Sequence, residues 1–180
     1  MNSYSSSAVS NFIKMYLNIN DNLNILDVGS YDVNGTSKNM FDYSNWKYTG
    51  MDIEKGPNVD IVYDNKGVFP FDNNNFDVII SSNTFEHDPK FWVTFSEMVR
   101  VAKNNAFIFI DTPSTGPVHR YPVDCWRFYP DAYKALSEWK PEAKLLGQDI
   151  NEMNCDNCHD EPNFYKPNVG VFKVNKTKDG

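Results

Sequence analysis

The chain has 180 residues, of which 41% are hydrophobic, 23% charged and 15% aromatic, with a formal net charge of −7. That balance describes a folded protein rather than a disordered one, and the length suits one domain over residues 1–180 with a single sizeable core. The acidic charge disfavours nucleic acid and anionic membranes as main partners, and no apolar run approaches the ~20 residues that a bilayer span requires.

The first residues, "MNSYSSSAVSNFIKMYLNIN", lack a basic segment followed by an apolar core, so no secretion signal is read. The three cysteines are accordingly expected as reduced thiols in the cytoplasm. In residues 5–17, Ala8, Phe12, Ile13, Tyr16 and Leu17 recur at roughly helical spacing and predict a short amphipathic helix. "NILDVG" (24–29) is an apolar strand ended by glycine. Residues 36–43 are a weak helix candidate, "KYTGMDI" (47–53) a second strand and "NVDIVYD" (58–64) a third with alternating pattern. "FDVIISSN" (76–83) is apolar on both faces, as a central parallel strand must be.

Residues 89–102 make the best helix, with Pro89 in its first turn and Phe91, Phe95, Met98, Val99 and Ala102 along one side. "AFIFIDTP" (106–113) is a fifth strand, "PDAYKALSEW" (130–139) a helix, and "AKLLGQDI" (143–150) and "VGVFKVNK" (169–176) the last two strands. Strands alternating with helices mean an α/β sheet, largely parallel and covered on both faces. No helical pattern separates the final pair, so the last strand is expected to run antiparallel. In such sheets ligands sit beyond the carboxyl ends of the strands, near the switch in strand order.

"NILDVGSYDVNG" (24–35) lies at such an end. Its glycines, Gly29 and Gly35, do not give the G-x-G-x-x-G of a dinucleotide loop, because Tyr31 stands where the middle glycine would be. No lysine follows Gly35, so a G-x4-G-K-[ST] phosphate loop fails as well, and Asp27 would repel a phosphate. A dehydrogenase is disfavoured on these grounds. A ligand carrying an ammonium group suits Asp27, and S-adenosyl-L-methionine (SAM) is such a ligand, with an amino group, a sulfonium and no phosphate. Asp52, closing the second strand, is placed for both ribose hydroxyls. Asp64, after the third, can accept from the adenine amine, and Ile53 can lie against the ring.

At this point the chain resembles the class I SAM-dependent methyltransferases, in particular the methyltransferase type 11 group. The resemblance runs from about Asn24 to Leu136, on "ILDVGSYDVNG", "YTGMDI", "VDIVYDNKGVFPFDNNNFDVIISSNTFEH" and "FSEMVRVAKNNAFIFIDTP". It implies a Rossmann-like, doubly wound, mostly parallel seven-stranded sheet with a reversed last strand. It also implies that Asp27, Gly29, Ser30, Asp52, Ile53, Asp64 and Asn83 line SAM. The chain departs from the family at Tyr31, where a second glycine is usual, and at "VAKNNAFIF", which lacks the usual Pro-Gly-Gly turn. The helical region at the front is short, so the lid over the cofactor is thin or comes from a second subunit of a homodimer.

Glu86 and His87 follow the fourth strand, and His87 is read as a wall of the cofactor pocket. The stretch "GPVHRYPVDCWRFYPD" (116–131) concentrates ionic and aromatic side chains in one loop, as a binding loop would. Related methyltransferases carry similar stretches, which implies that this loop faces the methyl group. His119 is the candidate base and Asp124 its orienting partner. Tyr121, Trp126 and Arg127 are candidate acceptor-binding residues; Arg127 has the alternative of pairing with Asp124. "CDNCH" (155–159) has the form of a haem attachment site, but no export signal accompanies it. Zinc would need four ligands, and Cys155, Cys158 and His159 supply three, with Cys125 remote. No metal site is therefore assigned. The reading is a SAM-dependent methyltransferase acting on a small polar acceptor, a sugar or glycan-linked intermediate among the options. The alternative is a catalytically inactive SAM-fold binding protein.

Overall fold

The computed structural model describes residues 3–33, 35–64, 67–148 and 167–176. Its centre is a seven-stranded sheet of order β3-β2-β1-β4-β5-β7-β6. The strands are β1 (Leu23–Val28), β2 (Trp46–Asp52), β3 (Ile61–Val62), β4 (Phe76–Ser82), β5 (Ala102–Pro113), β6 (Ala143–Gln148) and β7 (Pro167–Val174). Strands β3, β2, β1, β4 and β5 are mutually parallel. Strand β7 runs antiparallel to both β5 and β6, and so fills a gap one strand wide between them. The reversed last strand expected from the sequence is present.

Among the described residues three helices cover the sheet: α1 (Ser3–Tyr16), α2 (Phe91–Val101) and α3 (Asp131–Trp139). The period-2 alternation of each central strand sorts its side chains between two cores. Leu26, Ile79, Ile108 and Ile110 point to one face, where Phe95, Met98 and Val99 of α2 and Tyr133 and Leu136 of α3 close over them. Ile25, Val78, Ile80 and Phe109 point to the other, under Ala8, Val9, Phe12 and Ile13 of α1. No helix among the described residues is long and apolar enough to cross a membrane.

Three local expectations need correction. Residues 36–43 give only a 3-10 turn, Lys38–Phe41, with no side chain capping it. The third strand shrinks to Ile61–Val62: the Asp60 carboxylate takes the Gly50 N–H at 2.8 Å, a donor that the strand's earlier backbone would have used, and Asn58 turns the chain with a φ of 66°. Pro89 precedes α2, whose N-cap is Lys90. The absent Pro-Gly-Gly turn is replaced by an irregular start to β5, where Asn105 takes the positive φ (67°) that glycine would have supplied. The "CDNCH" segment and residues 149–150 of the sixth predicted strand lie outside the described residues.

Candidate functional site

Parallel pairing places the carboxyl ends of β1, β2, β4 and β5 along one edge, and strand order reverses between β1 and β4. The chain leaving β1 there bends at Gly29 (φ 81°), whose N–H and that of Ser30 donate to the Met51 carbonyl at 2.9 and 3.1 Å. A Cβ at Gly29 would lie 2.0 Å from Thr84 Oγ1, so the glycine is required both by φ and by the approach of the segment after β4. Ser30 is buried and donates to the Asn58 carbonyl at 3.1 Å. The ring of Tyr31 swings away and lies on Gly56, where a Cβ would meet it at 2.2 Å. The non-glycine residue in the bend therefore packs on the β2–β3 loop. Gly35 also has positive φ and donates to Asp32 Oδ1 at 2.6 Å.

Asp52 ends β2 with its carboxylate held by three backbone donors: Tyr31 N–H at 3.0 Å, Ile53 N–H at 2.7 Å and Glu54 N–H at 3.2 Å. That fixes a strand-end acid toward the crevice. Asp27 is buried on the α1 side and accepts a hydrogen bond from the Tyr48 hydroxyl. Burial pushes its carboxyl up to about 7, the Tyr48 bond opposes this and the Asp52 charge adds to it. A buried acid in that condition is stabilised by a cation brought beside it, which is the chemistry of an amino-acid ammonium. The residues thus fit the amino and ribose ends of SAM. Ile53 and Asp64 are exposed beyond β2 and β3, and Asn83 bends the chain after β4 with φ 52°.

The second half of the edge is built by the loop 114–129 folding onto the turn Phe85–His87. Cys125 and Trp126 N–H groups donate to the Glu86 carbonyl at 2.7 and 3.2 Å. His87 Nδ1 is 2.6 Å from the Val123 carbonyl, and Trp126 Nε1 donates to the Asp88 carbonyl at 2.9 Å. These pins bring His87 and His119 edge to face, with ring centroids 4.8 Å apart. Asp124 accepts the His119 backbone N–H at 2.7 Å and a two-pronged bond from Arg127 at 2.5 and 2.7 Å. The Arg127 guanidinium holds the Asp124 carboxyl well below the usual carboxylate range. Of the two readings of Arg127, the structure displays the pairing with Asp124. His119 Nδ1 sits 3.4 Å from Asp124 Oδ2. Tyr121 is exposed, and the Trp126 ring packs against Phe91 and Trp92.

Three buried groups here were assigned no role from sequence: Tyr48, Glu86 and Asp111. The sheet register, which sets Asp27 opposite Gly50 and beside Tyr48, is what reveals the first. Burial pushes Glu86 up to about 8 and Asp111 up to about 6; the Ser5 hydroxyl only partly relieves Asp111. An acid closing the apolar run "AFIFID" was the available signal for Asp111.

A family model described as a methyltransferase domain matches residues 26–110. No curated protein matches the chain significantly. Among solved structures, the chain is similar to a SAM-dependent methyltransferase from Aquifex aeolicus, with TM-score 0.62, 12% identity, and 97% and 99% of the two chains covered. It is similar to SAM-dependent methyltransferases of Methanosarcina mazei, at TM-score 0.65 and 15% identity, over 92% and 98%. A third likeness is to 1,6-didemethyltoxoflavin-N1-methyltransferase of Burkholderia thailandensis with bound 1,6-didemethyltoxoflavin and S-adenosylhomocysteine, at TM-score 0.68 and 10% identity, over 97% and 80%. At such identities the structural likeness establishes the fold.

Proposed function

We propose that the chain is a class I methyltransferase with SAM as its cofactor, a reading supported by the methyltransferase-domain match over residues 26–110 and the shared fold, and that it methylates an oxygen or nitrogen of a small polar acceptor held under the loop 114–129. The observation that carries this is the His119–Asp124–Arg127 assembly pinned against Glu86 and His87, beside the bend of β1. Bound SAM supplies an electrophilic methyl group on a sulfonium. Asp52, oriented by its three backbone donors, receives the ribose hydroxyls. Asp27 receives the amino group, Gly29 and Ser30 let the backbone pass close, and Gly35 shapes the far side of the bend. Ile53 and Asp64 flank the adenine, and Asn83 and His87 close the pocket. Tyr121 and Trp126 wall the acceptor.

On the acceptor side, His119 takes up the proton that the nucleophile loses. Its Nδ1 faces Asp124, so Nε2 is the receiving atom. Arg127 positions His119 through Asp124. The remaining gain comes from holding nucleophile and methyl group in line and away from water.

Calorimetry with SAM and S-adenosylhomocysteine, followed by a methyl-release assay over polar acceptors, tests this. Asp52→Ala should weaken SAM by at least about tenfold, about 1.4 kcal/mol. His119→Ala should slow turnover while SAM still binds. A wild-type chain that binds neither compound would end the proposal, and full turnover in His119→Ala would remove the base.

A further inference from the structure

We propose that Glu86, His87 and His119 together form a site for a divalent cation of the Zn²⁺ and Co²⁺ class, open toward the acceptor. Their donor atoms all lie within 4.8 Å of one another. The Nε2 atoms of His87 and His119 are 3.7 and 4.0 Å from Glu86 Oε1. A tetrahedral ion with bonds of about 2.0–2.2 Å spaces its ligands roughly 3.3–3.6 Å apart, so side-chain rotation alone closes the set onto an ion.

The hydrogen bonds around the cluster prepare it for this role. A bond from His87 Nδ1 to the Val123 carbonyl requires the proton on Nδ1, which leaves the Nε2 lone pair facing the cluster. His119 Nδ1 faces two acceptors, the Pro117 carbonyl at 3.3 Å and Asp124 Oδ2 at 3.4 Å. Arg127 Nη2 donates to the Pro117 carbonyl and Asp124 Oδ2 at 2.8 and 2.7 Å and also lies 3.4 Å from His119 Nδ1, so the Nδ1 proton is held by the two acceptors around it only when the ring presents Nε2 to the cluster. A histidine whose second nitrogen donates to a carbonyl or carboxylate is the usual arrangement behind a metal ligand. Glu86 supplies the independent sign. Its side chain is fully buried, and neither carboxylate oxygen has a hydrogen-bond partner on another residue, its own backbone N–H being the one donor that acts on it. The other charged groups acting on it are Asp111, Asp124 and Arg127, and Arg127 is engaged with Asp124. An orphaned buried carboxylate between two imidazole lone pairs is satisfied by a cation. Two imidazoles and one carboxylate suit Zn²⁺ or Co²⁺ and leave coordination positions open.

The inference rests on the loop 114–129 being the acceptor side. An acceptor hydroxyl at the open position is acidified by the ion and loses its proton to water, and His119 then serves as a ligand. Without the ion, His119 takes that proton itself.

The test uses the full chain carrying Cys125→Ser, Cys155→Ser and Cys158→Ser, so that thiols do not compete, titrated with Co²⁺ in the absence of SAM and followed by visible absorption and calorimetry. One Co²⁺ per chain, displaced by Zn²⁺, is expected. Glu86→Gln and His119→Gln, each checked by circular dichroism, should weaken it at least about tenfold. Absence of binding, or binding unchanged in both variants, overturns the cation site. Methyl release that persists in chelator alongside absent Co²⁺ binding rejects the cation and leaves His119 as the base. Co²⁺ binding with methyl release from no acceptor supports the cation site and counts against the proposed function instead.

Discussion

Replacing Glu86 with glutamine should flatten the pH dependence of stability in the metal-free protein. The folded carboxyl titrates at about 8 against 4.5 in a model peptide, chiefly because burial disfavours its charge. Below pH 4.5 both folded and unfolded chains hold this proton, and Glu86 makes no difference. As pH rises, the unfolded chain releases the proton while the folded chain keeps it, so stability falls until about pH 8, where the folded group ionises too. That interval, at about 1.4 kcal/mol per pH unit, amounts to about 5 kcal/mol as an upper figure. Water reaching the carboxylate on local relaxation reduces it, and at least about 2 kcal/mol should remain. Urea unfolding of wild type and Glu86→Gln with chelator, between pH 5 and pH 8, reads the difference directly. Glutamine keeps the size and removes the ionisation, while Asp27 and Asp111 titrate in both proteins. Stability curves parallel within about 0.5 kcal/mol would refute the burial argument for Glu86.

Gly29→Ala should destabilise by about 2–4 kcal/mol and weaken SAM, since its Cβ meets Thr84 Oγ1 at 2.0 Å in a backbone at φ 81°; wild-type denaturation and affinity would contradict it. Burial pushes the Asp27 carboxyl up to about 7, and the proposed pairing with the SAM ammonium needs its charged form, so affinity should rise between pH 6 and pH 8. Asp27→Asn should remove that rise in a calorimetric pH series, and an unchanged profile would assign the dependence elsewhere. The buried Tyr133 hydroxyl donates to the Asn168 carbonyl and pairs with Thr112 Oγ1, both at 2.7 Å. Tyr133→Phe should therefore cost about 1–2 kcal/mol by thermal or urea unfolding, and a neutral result would show that the orphaned groups find other partners.

The strands buried on both faces, β1, β4 and β5, were legible because two-sided burial leaves unbroken apolar runs. The segment 36–43 was overread as a helix for want of an apolar stripe or cap, and β3 was overread because its alternating pattern continues past the two residues that pair. Asp27, Gly29 and Asp52 could be placed from sequence, because each sits at the end of a strand whose own pattern announces that end. The Glu86–His87–His119 cluster could not, because α2 and β5 separate His119 from the adjacent Glu86 and His87 along the chain.

By itself, the order of residues determined the strand–helix alternation, the bend after β1 and the acid closing β2, since these follow from local burial pattern and backbone conformation. Only tertiary structure decided that Tyr31 turns onto Gly56, that Tyr48 caps Asp27, and that Glu86 lies orphaned between two histidines. Those facts depend on sheet register and on loop 114–129 bonding to the Glu86 and Asp88 carbonyls. Contacts of that kind join segments remote in the chain, and burial, which sets the charge state of each acid, exists only once they have formed.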